Sequence, residues 1–444
     1  MKTRPLLLTL LACLPALAGR GEDWISLFDG QTLNGWEPSE NKATWRVEDG
    51  ALVSRGPRSH LFYNGPVKNH EFKNFEVRAE VKTLPGSNSG LYLHTHYQET
   101  GFPETGYECQ VINSNETNRP GGYAERKLTG SIYAIRNVWK SPARDNEWFR
   151  YRARVQGKTL QTFVNDVLVA EYTESDQPFR PKGKAGRLLR GGTIALQGHD
   201  EGSTVWFRKL EVKPLADDLP TPGRPQPDAA FEERIVQLGN DNFPLLDWDV
   251  HLGNGLTAAA AAGHARQYGY TYGFVFNGAA PAAGQLPPAT YTGLAPTPAD
   301  PAKGGSGFDY VIAPAPAPLV SFTEPQRYMD ELVAGVEQLA AQGRVQILAR
   351  ATALPPALQA DYAKLWTEGR MDRVIKALKS ARMAVEINER LRTPGAEFIR
   401  RAKAAGLKFA FGSDNTGAAD LSRLEYSLDM VKECKLGAGD VWLP

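Results

Sequence analysis

Two segments of this 444-residue chain concentrate side chains that can exchange protons. Tyr92, His94 and His96 alternate along the first segment. Glu108 and Gln110 alternate along the second. Because successive side chains of a β-strand point to opposite sides of the sheet, the alternation predicts imidazoles on one shared face beside a carboxylate and an amide. Packing alone does not require so many polar side chains on a sheet. An ordinary solvated sheet face is the simpler alternative.

Short strands are the elements that would position these side chains. Between residues 23 and 213, runs of β-branched and aromatic residues recur between turn signals, and Asn165-Asp166 is typical of a hairpin turn. This spacing predicts an all-β sandwich or jelly roll. The formal net charge of +1 argues against nucleic acid as a partner.

The first 18 residues predict a signal peptide, because a basic start leads into an apolar run that ends in Ala16-Leu17-Ala18. A lipoprotein signal acylated at Cys13 is the alternative. We therefore expect a periplasmic or secreted protein, and no later stretch is apolar enough to predict a membrane span. Cys109 and Cys434 fall in different predicted domains, so no disulfide framework is expected.

The length exceeds what one hydrophobic core usually supports, so about two domains are expected. Residues 214–230 are rich in proline and predict a linker, because proline disfavours both helices and central strands. Residues 231–444 alternate strand and helix signals and predict a second domain of the α/β class.

Six motifs follow one another along the first domain. They are Leu27-Phe28-Asp29-Gly30, Trp45-Arg46-Val47-Glu48-Asp49-Gly50, Asn88-Ser89-Gly90-Leu91-Tyr92, Tyr107-Glu108-Cys109-Gln110, Leu196-Gln197-Gly198-His199 and Phe207-Arg208. Together they resemble the 3-keto-disaccharide hydrolase domain family. The resemblance implies a concanavalin-like jelly roll that acts on glucosides whose C3 hydroxyl has been oxidised to a ketone. His94 stands where the family commonly has arginine, which predicts a different substrate preference.

The implied chemistry starts from the C3 ketone, which acidifies the proton on C2. A base can remove that proton, and the enolate can then expel the group at C1 by β-elimination. Addition of water to the resulting enone would complete a net hydrolysis. Glu108 and His94 are the candidates for proton transfer, with His199 as a second acid or a metal ligand.

The remaining candidate residues would hold the sugar. The expected substrate-binding residues are Asn88, Tyr92, His96, Gln110, Lys127, Tyr133 and Gln197. For Lys127, which lies in a charged, glycine-containing loop, a solvated loop is the alternative. One divalent metal ion polarising the ketone is an open possibility. No Gly-x-Gly-x-x-Gly loop follows a strand, so no nucleotide cofactor is expected, and a separate 3-dehydrogenase must act upstream as a functional partner.

In the second domain, Asp249, His251, Glu386 and Asp414 follow predicted strands. Their placement resembles the metal ligands of PHP-type (polymerase and histidinol phosphatase) metal-dependent phosphoesterases. The resemblance implies a distorted (β/α)7 barrel with ligands at the carboxyl ends of its strands. Such centres use several histidines, whereas this domain has only His251 and His264. We therefore expect a degenerate scaffold, with residues 278–318 as a long surface loop.

Three functions follow from these patterns. The first is cleavage of 3-keto-glycosides by the sandwich. The second is carbohydrate binding without chemistry, which the jelly-roll architecture alone would also suit. The third is a phosphoesterase in the barrel, which the small number of histidines disfavours.

Overall fold

The computed structural model describes residues 24–114, 124–223, 225–282, 284–296 and 307–444. The predicted signal peptide, including Cys13, lies outside the described residues. Within these ranges, every helix is too short or too polar to cross a lipid bilayer.

Two antiparallel sheets form the first half of the chain. The strands are Ile25–Ser26 (β1), Trp36–Pro38 (β2), Trp45–Glu48 (β3), Ala51–Arg55 (β4), Ser59–Tyr63 (β5), Phe75–Thr83 (β6), Ser89–Thr95 (β7), Tyr107–Val111 (β8), Phe149–Gln156 (β9), Thr159–Val164 (β10), Val167–Thr173 (β11), Thr193–Gly198 (β12) and Thr204–Pro214 (β13). The eight-stranded sheet has the order β11-β10-β9-β6-β13-β4-β3, with β1 paired to β13. The five-stranded sheet has the order β2-β5-β12-β7-β8. The prediction of an antiparallel β-sandwich is confirmed.

Alternation along the strands separates the core from the other faces. In β6, Phe75 and Val77 are buried in the core between the sheets, whereas Arg78 points outward and pairs with Glu211 at 2.7 Å. The five-stranded sheet is different, because the face that points away from this core is also covered. Phe62, Tyr92 and Ala195 are all buried there and form a small apolar cluster of their own. This outer face of the five-stranded sheet carries the candidate site.

The second half is a parallel sheet with helices. The strands are Leu246–Val250 (β14), Thr271–Phe276 (β15), Tyr291–Leu294 (β16), Tyr310–Pro314 (β17), Ile347–Ala349 (β18), Ala384–Asn388 (β19) and Phe409–Gly412 (β20), in that order across the sheet. The helices are Ala229–Asn240 (α1), Ala258–Tyr268 (α2), Pro325–Ala341 (α3), Tyr362–Leu365 (α4), Glu368–Ala381 (α5), Ala396–Ala404 (α6) and Glu425–Glu433 (α7). The first and last strands meet where the Asp414 N–H donates to the Asp249 carbonyl at 2.9 Å, so the sheet curls into a near-closed barrel.

The prediction of a long surface loop over residues 278–318 is wrong. Two barrel strands, β16 and β17, lie within it. Because alanine, glycine and proline are abundant around these two strands, the composition of the segment did not indicate them. Tyr310 supplies much of the local packing, because its ring is buried and its hydroxyl donates to the Trp248 carbonyl at 2.5 Å.

Each half of the chain contributes a side chain to the hydrophobic core of the other half. Trp139, from the connection between β8 and β9, packs into the barrel core and donates from Nε1 to the Gly269 carbonyl at 2.9 Å. Val236 of α1 packs into the sandwich core in return. Between them, Arg136 forms a two-point ion pair with Glu232, with N–O distances of 3.0 and 2.6 Å. The barrel is therefore built onto the sandwich as well as joined to it by the 214–230 segment.

We expect Arg136→Met to destabilise the chain strongly. Arg136 is 1% exposed, and its loss would leave the Glu232 carboxylate without its counter-charge in a largely dry interface. Breaking a buried pair from one side costs about 3–5 kcal/mol, which corresponds to a fall of about 10 °C in the unfolding midpoint. Scanning calorimetry measures the unfolding midpoint of each variant. The control is Arg400→Met, because the Arg400–Glu433 pair is exposed and should change the midpoint by less than about 2 °C. Equal midpoints for the two variants would contradict the expectation.

Candidate active site

The strand register places a buried carboxylate on the outer face of the five-stranded sheet. Tyr92 lies opposite Glu108 across β7 and β8, and Gly90 lies opposite Gln110. A Cβ atom on Gly90 would come within 2.9 Å of the Glu108 Cγ. The Asn-Ser-Gly sequence therefore leaves room for the Glu108 side chain to lie across the neighbouring strand.

Hydrogen-bond donors from three side chains hold the Glu108 carboxylate. The Tyr92 hydroxyl donates to Oε2 at 2.9 Å, and the Gln197 amide donates to Oε1 at 3.1 Å. The Gln110 amide, oriented with its nitrogen toward these acceptors, reaches Oε1 at 3.3 Å. Glu108 is only 5% exposed. Donors therefore reach both oxygens of this buried group.

Cationic side chains gather around the ring of Tyr133, next to Glu108. The Lys127 ammonium, the Lys184 ammonium and the Arg187 guanidinium lie 4.6, 5.4 and 5.2 Å from the ring centroid. Arg187 also stands 3.6 Å from Glu108 Oε2. Burial, with a further contribution from Arg187, lowers the pKa of Lys184 to about 8. Positive charge thus lies directly beside the buried carboxylate.

The turn that presents Lys184 and Arg187 is held by backbone contacts. Arg180 donates from Nε to the Arg187 carbonyl at 2.7 Å. The Gly106 N–H donates to the Gly186 carbonyl at 3.0 Å, and a Cβ at Gly186 would lie 2.2 Å from the Glu104 carbonyl oxygen. Only glycine permits this close approach, so the turn stays packed against the end of β8.

Two histidines border the same face. His60 of β5 is fully buried, and burial lowers its pKa to about 3, so the ring is neutral. Neither of its ring nitrogens has a hydrogen-bond partner among the described residues. His199, at the end of β12, pairs through Nδ1 with Asp200 at 2.7 Å. The ring of Phe102 lies between them, 5.7 Å from the His60 ring and 5.5 Å from the His199 ring.

The structure brings together many of the residues that the sequence singled out. Those that meet around the carboxylate are Tyr92, Glu108, Gln110, Lys127, Tyr133 and Gln197. Lys127 is fully buried, so the alternative of a solvated lysine is wrong. Asn88 lies just before β7, and its buried Oδ1 has no partner within the described part of the chain. Sequence reasoning missed His60, Lys184 and Arg187.

The predicted common face of Tyr92, His94 and His96 is wrong. His94 has a φ of 54°, and the pairing of β7 with β12 shifts register there, so the alternation breaks. The His94 ring lies 5.7 Å from that of Phe75 in the sandwich core, and its Nε2 donates to the Lys73 carbonyl at 2.9 Å. Burial lowers the pKa of His94 to about 4. His96 is exposed, 3.9 Å from Glu71.

Comparison with known proteins identifies the family of the sandwich domain. Residues 23–213 match the sequence model of the 3-keto-alpha-glucoside-1,2-lyase-like domain. The sandwich domain belongs to this family. A 3-keto-disaccharide hydrolase of Bacteroides thetaiotaomicron is 27% identical over 232 residues, which cover 44% of this chain and 79% of that protein. The family assignment made from the sequence motifs is confirmed.

Two solved structures of Parabacteroides distasonis proteins assigned as glycosyl hydrolases are similar to the lyase-like domain. One has 21% sequence identity and a TM-score of 0.37, and the alignment covers 44% of this chain and 94% of that chain. The other has 24% identity and a TM-score of 0.34, with 43% and 99% covered. The matched family ends at residue 213, so the PHP-type resemblance of the second half stays a prediction.

The residues predicted as metal ligands do meet at one end of the barrel. Donor atoms of Asp249, His251 and Asp414 all lie within 4.8 Å of one another. However, Arg350 donates to both Asp414 oxygens, at 2.6 and 2.9 Å, and Arg390 adds a third contact at 2.7 Å.

Glu386, the fourth predicted metal ligand, is fully buried beside this cluster. Burial and the neighbouring Asp249 raise its pKa well above the ordinary range, which favours the neutral acid. With Asp414 already paired to two guanidinium groups, the donor set does not fit a divalent ion as arranged. Charge here is balanced by arginine.

We expect His60→Phe to make the chain less sensitive to acid. A folded pKa near 3 against about 6.5 unfolded means that the unfolded chain binds a proton first as the pH falls, so stability is present above pH 6.5 and is lost below it. Between pH 7 and pH 5 this one group should cost about 2 kcal/mol. Phenylalanine should remove that loss and pack among the neighbouring aromatic rings.

Urea unfolding at pH 7 and at pH 5 measures the difference. The matched control is His96→Phe, which removes an exposed imidazole and should show the acid sensitivity of the unsubstituted protein. If His60→Phe loses as much stability between the two pH values as the unsubstituted protein does, the neutral, buried state of His60 is refuted.

Proposed function

We propose that the lyase-like domain cleaves 3-keto-glycosides by removing the C2 proton and eliminating the group at C1. The observation that carries this proposal is the buried Glu108 carboxylate facing Arg187 and Lys184 around the Tyr133 ring. Enolate formation needs a base and, close to it, a cationic site for the developing oxyanion.

In this mechanism Glu108 accepts the proton from C2, and the electrons of the C–H bond move into an enolate whose negative oxygen is at C3. Arg187 and Lys184 stabilise that oxygen, because cations in a poorly hydrated site act strongly on developing charge. Collapse of the enolate restores the ketone, forms the C1–C2 double bond and breaks the bond from C1 to the leaving oxygen.

His199 is proposed as the acid that protonates the departing oxygen. Its Nδ1 is fixed by Asp200 at 2.7 Å, which leaves Nε2 for the substrate, and it lies at the edge of the outer face beside Phe102. The Gln110 amide and the Asn88 Oδ1, which has no hydrogen-bond partner among the described residues, are proposed to bind sugar hydroxyls. Addition of water to the enone would then give the product of net hydrolysis.

In this proposal side-chain cations polarise the ketone. Among the residues that the structure describes, the carboxylate and imidazole cluster close enough to share an ion lies in the barrel, away from Glu108. The substrate must be supplied by a separate enzyme that oxidises a C3 hydroxyl. We propose that the reaction takes place outside the cytoplasm, and the signal peptide predicted from the sequence supports this.

We expect Glu108→Gln to lower kcat by roughly 10²–10⁴-fold on a 3-keto-glucoside, because the amide cannot accept the C2 proton. Release of the aglycone is followed with the keto substrate and with its unoxidised parent. The matched control is Glu211→Gln on the other sheet, which should keep its activity. Melting temperatures of both variants show whether folding is retained.

A deuterium label at C2 separates elimination from direct attack of water at C1. Elimination breaks the C2–H bond and predicts a primary isotope effect on kcat, whereas direct hydrolysis predicts almost none. Binding of the keto sugar without turnover by the unsubstituted protein would replace the proposal with a carbohydrate-binding function.

We expect kcat/KM to fall as the pH rises through about 8. Lys184, with its pKa lowered to about 8, is protonated and cationic below that pH and loses its charge above it. Lys184→Arg should keep activity at pH 9, because guanidinium stays protonated there. The measurement is the pH profile of kcat/KM for both proteins. A rise in activity through pH 8 would instead make Lys184 the base.

A further inference from the structure

The barrel contacts the segment that carries Lys127 to the candidate site. The Asn242 side chain, just after α1, accepts at Oδ1 from the Arg126 N–H at 3.0 Å and from the Lys127 ammonium at 3.1 Å. Its Nδ2 donates to the Ala124 carbonyl at 2.7 Å. The amide of Asn242, in the second half, thus binds Ala124, Arg126 and Lys127 of the first half.

Other barrel residues also contact the connection between β8 and β9. Next to Asn242, the Arg126 guanidinium donates to the Ala438 carbonyl at 2.5 Å. Further along, the backbone N–H of Trp139 donates to Thr271 Oγ1 at 3.2 Å, and its indole donates to Gly269. The connection between β8 and β9 is therefore clamped by the barrel on either side of Tyr133.

Lys127 links this clamp to the cations beside Glu108. Its fully buried ammonium lies 2.7 Å from Glu125 Oε1 and 4.6 Å from the Tyr133 ring centroid. The Tyr133 hydroxyl donates to the other Glu125 oxygen at 3.0 Å. Tyr133 is also the ring on which Lys184 and Arg187 stand, so a shift of Lys127 changes the surface that holds them.

We propose that Asn242 is a positioning residue for the sandwich's active site, through which the barrel fixes Lys127, Glu125 and Tyr133 relative to Glu108. Its effect on catalysis rests on the proposed function, whereas its effect on the segment does not. The amide supplies a buried ammonium with a neutral acceptor, and removing it leaves that ammonium short of a partner in a dry site.

Backbone conformation determines the variants. Asn242 has a φ of 60°, which glycine adopts without strain and aspartate tolerates well. Asn242→Gly removes the amide and keeps the turn. Asn242→Asp keeps an acceptor for Arg126 and Lys127, replaces the donor to the Ala124 carbonyl with a second carboxylate oxygen, and adds a negative charge beside the Lys127 ammonium. Asn146→Gly is the matched control, because Asn146 has a φ of 64° and an exposed side chain.

Two readouts are taken on the full chain. Hydrogen exchange of residues 124–133 should be faster in Asn242→Gly and near the unsubstituted rate in Asn242→Asp and Asn146→Gly. With a 3-keto-glucoside, Asn242→Gly should lower kcat by roughly 10- to 100-fold with a smaller change in KM, because displaced groups lose transition-state contacts. Asn242→Asp should restore kcat to within about threefold.

Unchanged exchange and unchanged kcat in Asn242→Gly would overturn the proposal while leaving the proposed function intact. A loss of kcat that Asn242→Asp does not restore, or that Asn146→Gly shares, would also overturn it. If the unsubstituted protein turns over no 3-keto-glucoside, the proposed function fails, and the exchange data alone decide whether Asn242 holds the segment.

Discussion

A carboxylate that is almost fully buried must be met by donors and positive charge, and the first half of this molecule is arranged around that requirement. Leaving a charged group unpaired in a protein interior costs several kcal/mol. The five-stranded sheet therefore turns Tyr92, Gln197 and Gln110 toward Glu108, and Gly90 leaves the space that the side chain occupies. The donors are strand residues, so the ladder of backbone hydrogen bonds fixes their positions. A carboxylate held this rigidly keeps its orientation while a substrate is exchanged beside it.

The cations come from irregular segments, which have no ladder of their own and need outside support. The turn with Lys184 and Arg187 is held by Arg180 and by a backbone bond from Gly106. The segment with Lys127 is held by the barrel. The barrel's own acidic cluster is balanced by Arg350 and Arg390, so its strand ends have become an internal ion network. The second half also contacts the Lys127 segment of the first half through Asn242.

Strand alternation predicted the placement of Tyr92, Glu108 and Gln110, because period-two patterning depends only on the pleat. It failed at His94, where one residue with positive φ reverses the side-chain direction, and nothing in the local sequence marks such a bulge. The sequence analysis did not single out His60, although Ser59–Tyr63 has the β-rich composition of a strand. Lys184 and Arg187 approach Glu108 through tertiary structure alone. For the second half, alternating strand and helix signals predicted the α/β class. No sequence pattern indicated that Arg350 and Arg390 pair with Asp414.

The packing shared by the two halves has a consequence for how the chain is made. The sandwich is synthesised first, yet its core includes Val236 from α1. Trp139 of the sandwich is buried only once the barrel core has formed. The first domain therefore reaches its final packing only after the Pro-rich segment and at least one barrel helix have been synthesised. During that interval Trp139 and the sandwich surface that α1 will cover are bare apolar groups. A chain that ended before α1 would therefore keep these apolar groups exposed to solvent.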